Sequence, residues 1–468
     1  MPRFRFSLVF VLTAGFAAPF SVYCGAQMSN SPQAANPIQH VVIIVQENRT
    51  PDNLFHDPIL ISRGADIASS GVNSDGKTIP LDVTSLQTDY DLEHSHSAFV
   101  SMCDLQTNGQ CKMDGADRIR ASCEQGATNC PPANPQFKYV NASDVQPYFQ
   151  LAEQYTFGDR MFQTNQGPSF PAHQFLIAGT SAPTATSPLF ASGNPSHAKG
   201  GIAGCIADPQ ELVQLIDPSG DEDSAMYPCY EHPTLPDLLD AKGVSWRYYT
   251  PSAGSIWTGP DAIQHICQPQ VQNGELVCSG SEWANVIIPQ KQVLSDIAQN
   301  QLAQVTWVIP SGRESDHAES NDGTGPSWVA SVVNAIGKSS YWAHTAIIIT
   351  WDDWGGWFDH VPPPQVRINC TEWGCGYVYG FRVPLVVVSP YAKAGYISHH
   401  VHDFGSILKF VEETYGLPSL GYADVSADDL SDCFNFGQAA TQFQTIAAPL
   451  SADHFLNDQR PPTDPDDD

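Results

Sequence analysis

The segments HVVIIVQEN (residues 40–48) and TAIIITWDD (residues 345–353) share one pattern: a run of mostly β-branched apolar residues followed at once by polar ones. Such runs are typical of strands that are buried on both faces of a parallel sheet. Three further stretches are rich in β-branched and aromatic residues, namely VSWRYY (244–249), QVTWVI (304–309) and VPLVVV (383–388). The sequence therefore predicts a mainly parallel central sheet.

Helical patterns lie between these strands. They are DVQPYFQLAEQY (144–155), TLPDLLDAKG (234–243), SWVASVVNAIGK (327–338) and DFGSILKFVEETYG (403–416). Thr234 and Asp403 are suited to cap helix N-termini, and Gly243 and Gly416 are suited to end helices. Strands that alternate with helices predict an α/β fold in which helices flank the sheet.

Composition limits the possible partners. The chain has 468 residues, 21 Lys+Arg and 50 Asp+Glu, which gives a formal net charge of −29. A surface this acidic repels nucleic acid and anionic lipid headgroups, so no nucleic-acid partner is expected. An anionic substrate would need a local positive centre.

The N-terminus has the pattern of a secretory signal peptide. Arg3 and Arg5 precede an apolar run at residues 8–20, and small residues follow at Cys24–Ala26. We expect a signal peptide over 1–26 and a periplasmic or secreted protein. The run is shorter than the roughly 20 residues of a spanning helix, so no stable membrane insertion is expected. Lipidation of Cys24 stays open.

The cysteines also favour an oxidising compartment. Of 12 cysteines, 11 remain without Cys24; Cys433 is left over, and the others form near-neighbour pairs: Cys103 and Cys111, Cys123 and Cys130, Cys205 and Cys229, Cys267 and Cys278, and Cys370 and Cys375. We expect one catalytic domain over 27–457, with disulfide-stapled insertions near 97–140, 182–232 and 251–285. An acidic tail at 458–468 is predicted to be disordered.

Polar side chains follow the strands predicted at residues 40–45 and 345–350, at the point where each strand ends. Glu47 and Asn48 follow one strand, and Asp352 and Asp353 follow the other. Ligands bind beyond the carboxyl ends of parallel strands, and oxygen-rich side chains suit a hard divalent cation. One divalent cation of unknown identity is therefore predicted, with a solvated acidic turn as the alternative for the aspartates.

Ser169 is the candidate nucleophile. It follows Gly167 and Pro168, which break the chain before a helical segment. A serine at a helix N-terminus can cap the helix, and it also meets backbone N–H groups that favour an incoming phosphate. A hydroxyl that also touched a cation would be easier to deprotonate.

Histidines in polar loops are candidates for holding phosphate oxygens or protonating a leaving group. They are His94, His317 and His360. Taken singly, a histidine more often has a structural role.

Several segments together resemble the bacterial phosphoesterase family that contains phospholipases C and periplasmic acid phosphatases on an alkaline-phosphatase-like fold. They are HVVIIVQENRTPDNLF (40–55), DLEHS (91–95), KMDGAD (112–117), GDRMFQTNQGPSFPAHQFLIAGTS (158–181), TLPDLLDAKGVSWRYY (234–249), TWDDWGGWFDHVPPP (350–364) and FRVPLVVVSPYAKAG (381–395). The resemblance implies a metal held by Glu47, Asn48, Asp352 and Asp353, with Ser169 as nucleophile. It also implies that His94, His317 and His360 line the site.

The resemblance also bears on the substrate. Phospholipases of the family tend to carry Thr at the nucleophile and Glu as the second acid, so Ser169 and Asp353 look more like the acid phosphatase branch. The leading hypothesis is a metal-dependent phosphomonoesterase that hydrolyses small phosphate esters through a covalent phosphoserine.

Two alternatives remain open, and the oligomeric state is not specified. One is a phospholipase C whose tryptophans cage a phospholipid headgroup such as choline; the candidates are Trp257, Trp283, Trp354 and Trp357. The other is a glycan-binding or glycoside-hydrolysing protein that uses Glu47 and Asp352 as paired carboxylates.

Overall fold

A computed structural model describes residues 1–3, 8, 36–106, 110–196, 202–366 and 377–463. The chain divides into two units, Met1–Ala35 and Asn36–Asp468, and every helix and strand described below belongs to the second. Nearly all of the predicted signal peptide, the Cys370 and Cys375 pair and residues 464–468 of the predicted tail lie outside the described residues.

A central sheet of eight strands organises the second unit. The strands are β1 (His40–Gln46), β2 (Thr156–Gly158), β3 (Trp246–Tyr249), β4 (Val286–Ile287), β5 (Val305–Val308), β6 (Thr345–Trp351), β7 (Leu385–Val388) and β8 (Tyr396–Ser398). Their order across the sheet is β4-β3-β5-β1-β6-β7-β2-β8. All five predicted strands are present, so the mainly parallel sheet is confirmed.

One strand departs from the parallel arrangement. β7 runs antiparallel to both β6 and β2, whereas the other pairings in the sheet are parallel. Leu385, the first residue of β7, pairs with Thr350 near the end of β6. The chain therefore re-enters the sheet at the edge where β6 left it. Because the chain does not cross to the opposite edge of the sheet before it forms β7, β7 pairs with β6 in the antiparallel direction.

Ten α-helices are present in the described residues. They are α1 (Pro51–Leu54), α2 (Pro58–Ser62), α3 (His96–Cys103), α4 (Gln146–Gln154), α5 (Ser169–Ala178), α6 (Leu235–Lys242), α7 (Gln292–Ala298), α8 (Gly325–Gly337), α9 (Phe404–Tyr415) and α10 (Ala452–Asn457). The four predicted helical segments correspond to α4, α6, α8 and α9. As expected, Thr234 and Asp403 cap α6 and α9, which end at Gly243 and Gly416 in the left-handed conformation.

The helices cover both faces of the sheet. One group packs around α8 and contains α4, α7 and α10, while α5 packs against α6 and α9. β5, β6 and β7 are buried at every position, and β1 is buried at all but its first. Side chains point alternately to the two faces of a strand, so uniform burial requires cover on both.

Four of the predicted disulfides are present: Cys103–Cys111, Cys123–Cys130, Cys205–Cys229 and Cys267–Cys278. Cys433 is a buried free thiol. The bonded pairs lie among short peripheral strands, such as the hairpin Gln268–Gln272 and Glu275–Ser279. In the described part of the chain, no helix combines the length and apolar character that crossing a bilayer requires.

Candidate functional site

The register of β1 and β6 brings their following residues to one edge of the sheet. Gln46 pairs with Trp351, so Glu47 and Asn48 leave the sheet beside Asp352 and Asp353. All four of these residues are 0% exposed. The backbone N–H of Asn48 donates to Asp352 Oδ1 at 3.1 Å, and that of Asp353 donates to the same oxygen at 2.8 Å. The backbone thus fixes the acidic pair, which is a buried cluster and not a solvated turn.

A glycine turn closes over this cluster. Gly355 has φ +59° and donates its backbone N–H to Asp353 Oδ1 at 2.7 Å. A Cβ added at Gly355 would lie 2.4 Å from the carbonyl oxygen of Asn48. The turn therefore needs glycine both for its left-handed backbone and for the close approach.

Ser169 joins the cluster from α5. It is the first residue of that helix, behind Pro168 in the capping position, and it is fully buried. Its Oγ donates to Asp353 Oδ2 at 3.2 Å. The structure thus places a hydroxyl at a helix N-terminus in contact with the acidic pair.

His173 is a site residue that the sequence analysis missed. Its Nε2 lies 3.4 Å from Glu47 Oε1 and 3.8 Å from Asp352 Oδ2. Burial lowers the pKa of His173 to about 4, against the opposing effect of Asp352, so the imidazole is neutral at physiological pH. The available signal was its spacing of four residues from Ser169, which puts the two side chains on one face of a helix.

The donors fit a divalent cation. Asn48 Oδ1 and Asp352 Oδ2 are buried and accept no hydrogen bond from the described residues. Burial and the charge of Asp352 raise the pKa of Asp353 well above its ordinary value. A cation would relieve this crowding of negative charge, and carboxylate, amide and imidazole groups are suitable ligands.

Two of the three predicted histidines lie beside this cluster. His94 Nδ1 is 2.8 Å from the carbonyl oxygen of Leu92, which can only accept, so Nδ1 carries the proton. His94 Nε2 then accepts from Asn48 Nδ2 at 3.1 Å, which holds the amide. The ring of His317 lies 5.7 Å from that of His94, and its Nδ1 is 2.7 Å from the carbonyl oxygen of Ala318.

His360 lies in a different cluster, which corrects the expectation that it lines the site. Its Nδ1 is 2.6 Å from Asp52 and its Nε2 is 3.0 Å from Asp66, so both nitrogens are engaged with carboxylates. Buried Arg382 joins this cluster through Asp52 and Asp359. The chain turns at Gly355 and Gly356 after Asp353, which carries His360 into this charge network.

The four tryptophans do not form a single cage. Arg49 lies over the ring of Trp357 at 4.8 Å, and Trp283 packs at the Cys267–Cys278 disulfide. Trp354 lies 6.2 Å from His94, and Trp257 lies 6.1 Å from His317, measured between ring centroids. Trp257 and Trp354 are thus the two that flank the histidine pair.

Comparisons with known proteins identify the family of the chain. A model described as "Phosphoesterase family" matches residues 38–418. The chain is 24% identical over 436 residues to a non-hemolytic phospholipase C of Pseudomonas aeruginosa, covering 85% of this chain and 57% of that protein. It is 24% identical over 473 residues to phospholipase C A of Mycobacterium tuberculosis, covering 91% and 84%. The chain thus spans little more than half the length of the Pseudomonas relative.

Solved structures are more distant. The chain is similar to a protein in the alkaline phosphatase superfamily from Vibrio parahaemolyticus, at TM-score 0.35 and 10% identity, over 84% of this chain and 70% of that one.

Replacing Gly355 should destabilise the protein more than replacing another left-handed glycine. Gly355→Ala and Gly76→Ala both place a side chain at positive φ, which costs roughly 1–2 kcal/mol. A Cβ at Gly76 meets nothing within 4 Å, whereas at Gly355 it meets the Asn48 carbonyl. We expect a clearly larger loss of unfolding free energy for Gly355→Ala in denaturant titrations. Equal losses would contradict the proposed close approach.

His360 should make the free energy of unfolding depend measurably on pH. Burial lowers the pKa of His360, but the hydrogen bond and charge of Asp52 and the charge of Asp359 outweigh burial and raise it to about 9. The unfolded value is about 6.5. The stabilisation is therefore fully present below about pH 6.5 and is lost as the pH rises through about 9.

We therefore expect the gap in unfolding free energy between wild type and His360→Gln to shrink between pH 6.5 and pH 9. Denaturant titrations at fixed pH values measure this gap. His454, an exposed histidine, is the control, because His454→Gln should follow the wild type throughout. A gap that stays constant across the range would refute the charged His360.

Proposed function

The chain belongs to the phosphoesterase family, and we propose that it hydrolyses phosphoric ester bonds as a phospholipase C, acting on the phosphodiester of a phospholipid headgroup. The observation that carries the proposal is the buried hydroxyl of Ser169, hydrogen-bonded to one member of a buried carboxylate cluster. A helix N-terminus, a hydroxyl and a cation-binding acidic cluster together match what phosphoryl transfer requires.

One divalent cation would be held by Glu47, Asn48, Ser169, Asp352 and Asp353. When bound, it would supply the positive charge that offsets the carboxylates, stabilises the phosphate and favours the ionised hydroxyl of Ser169. The identity of the cation is left open by these five ligands.

Ser169 would act as the nucleophile. Its Oγ would form a bond to phosphorus as the bond to the glycerol oxygen breaks. Water would then hydrolyse the seryl phosphodiester, which releases the headgroup phosphate and regenerates the Ser169 hydroxyl. Asp353 Oδ2 accepts the hydrogen bond from Ser169 Oγ and would receive its proton. The N–H groups at the start of α5 would hold phosphate oxygens.

The two nearby histidines would have different roles. His94 Nε2 is occupied by the Asn48 amide, so His94 would position that ligand. His317, packed against the rings of His94 and Trp257, is the candidate for protonating the leaving oxygen.

The relatives favour the phosphodiester alternative over the phosphomonoester hypothesis. The matched proteins from Pseudomonas and Mycobacterium are named phospholipases C. The glycan alternative gains no support from the family match.

Secretion to the periplasm or beyond is part of the same proposal. It rests on the sequence pattern of residues 1–26, and the four disulfides suit an oxidising compartment.

The substrate class can be tested with two chromogenic esters. We expect kcat/KM to be at least about tenfold higher for p-nitrophenyl phosphorylcholine than for p-nitrophenyl phosphate, a difference of roughly 1.4 kcal/mol in transition-state binding. Both substrates release the same phenolate, so absorbance compares them directly. A preference for the monoester would restore the acid phosphatase hypothesis.

Ser169→Ala should reduce turnover by on the order of 1000-fold or more, because the hydroxyl that bonds to phosphorus is removed. The melting temperature should change little. Ser181→Ala is the matched control, since Ser181 is also buried but donates to the carbonyl oxygen of Ala191. Near-normal turnover in Ser169→Ala would exclude Ser169 as the nucleophile.

A further inference from the structure

We infer that His173 is a direct ligand of the divalent cation, through its Nε2. The inference rests on the proposed function in one respect: it concerns the same cation site. It adds a nitrogen donor to a ligand set that was otherwise composed of oxygens.

The hydrogen bonds of Tyr248 decide the tautomer of His173. The Tyr248 hydroxyl donates to the carbonyl oxygen of Trp257 at 2.8 Å, so its single hydrogen is used there. Its oxygen then accepts from the backbone N–H of Gly259 at 3.3 Å. His173 Nδ1 lies 3.4 Å from the same oxygen and must therefore donate. The neutral imidazole carries its hydrogen on Nδ1.

The opposite tautomer fits these contacts less well. It would require the Tyr248 hydroxyl to turn its hydrogen from the Trp257 carbonyl at 2.8 Å to His173 Nδ1 at 3.4 Å. A short hydrogen bond would be exchanged for a long one, and a buried carbonyl would lose its donor.

With the proton on Nδ1, the lone pair of Nε2 faces two carboxylate oxygens. Glu47 Oε1 is 3.4 Å away and Asp352 Oδ2 is 3.8 Å away. These atoms all lie within 4.8 Å of one another, and all three residues are fully buried. A cation placed among these three electron-rich atoms would offset their mutual repulsion.

The position of His173 on α5 suits this coordination. Ser169 and His173 are separated by four residues on one helix, so a single rigid element presents a hydroxyl and an imidazole to the same cation. A mixed nitrogen and oxygen ligand set favours a transition-metal ion such as Zn²⁺ over Mg²⁺ or Ca²⁺.

Pulsed electron paramagnetic resonance of the full chain loaded with one equivalent of Mn²⁺ tests the inference without measuring turnover. The wild type should show hyperfine coupling from a directly bound nitrogen. His173→Gln should lose that coupling. His94→Gln should keep it, because the contact of His94 with the site passes through Asn48.

A second variant covers the case in which His173→Gln does not fold. Tyr248→Phe removes the acceptor that orients the imidazole and leaves His173 in place. It should weaken Mn²⁺ affinity by roughly 10–100-fold in calorimetric titrations, as expected when a group that orients a metal ligand is removed. The nitrogen coupling should weaken in parallel.

The outcomes separate this inference from the proposed function. Wild-type protein that binds Mn²⁺ without nitrogen coupling would overturn the role of His173 and leave the phosphoesterase proposal standing. Coupling that persists in His173→Gln, or unchanged affinity in Tyr248→Phe, would also overturn it. Metal-free wild type that hydrolyses diesters at full rate in EDTA would overturn both.

Discussion

The site depends on holding three buried carboxylates, those of Glu47, Asp352 and Asp353, at one edge of the sheet. Each is 0% exposed, and burial together with the charge of Asp352 raises the pKa of Asp353. Like charges in a region of low dielectric constant repel strongly, so backbone N–H groups compensate part of the charge and the proposed cation would compensate the rest. The backbone N–H groups of Asn48, Asp353 and Gly355 donate hydrogen bonds to the carboxylates of Asp352 and Asp353.

The rest of the fold prevents this cluster from relaxing. β1 and β6 pair through seven consecutive residues, which fixes the two ligand pairs relative to each other. The sheet around them is apolar and covered on both faces, so neither strand can shift without exposing core surface. α5 is buried along its whole length and brings Ser169 and His173 to the same place. Burial also strengthens every electrostatic interaction in the site.

The strand ends could be predicted because uninterrupted apolar runs identify buried strands, and parallel strands end at a common edge. The short spacing of the cysteines suggested local pairs, although spacing alone does not determine disulfide connectivity. His173 was missed because α5 is buried all round, so hydrophobic periodicity does not distinguish its site face from its core face. The location of His360 and the direction of β7 depend on the path of the chain after Asp353. That path is set by the turn at Gly355 and by tertiary packing, which local patterns do not encode.

The surplus of negative charge explains why a cation is central to the proposed chemistry. Arg49 directly follows Asn48, so it is the arginine nearest in sequence to this proposed ligand and a natural candidate to bind a phosphate. Its Nε, Nη1 and Nη2 instead donate to Asp316 O, Asn53 Oδ1 and Leu86 O, and its guanidinium lies over Trp357. Arg382 is likewise committed to Asp52 and Asp359. Because Arg49 and Arg382, the two buried arginines among the described residues, serve the framework, the positive charge for the proposed phosphodiester substrate would come from the N-terminus of α5 and from an ion bound by the carboxylates.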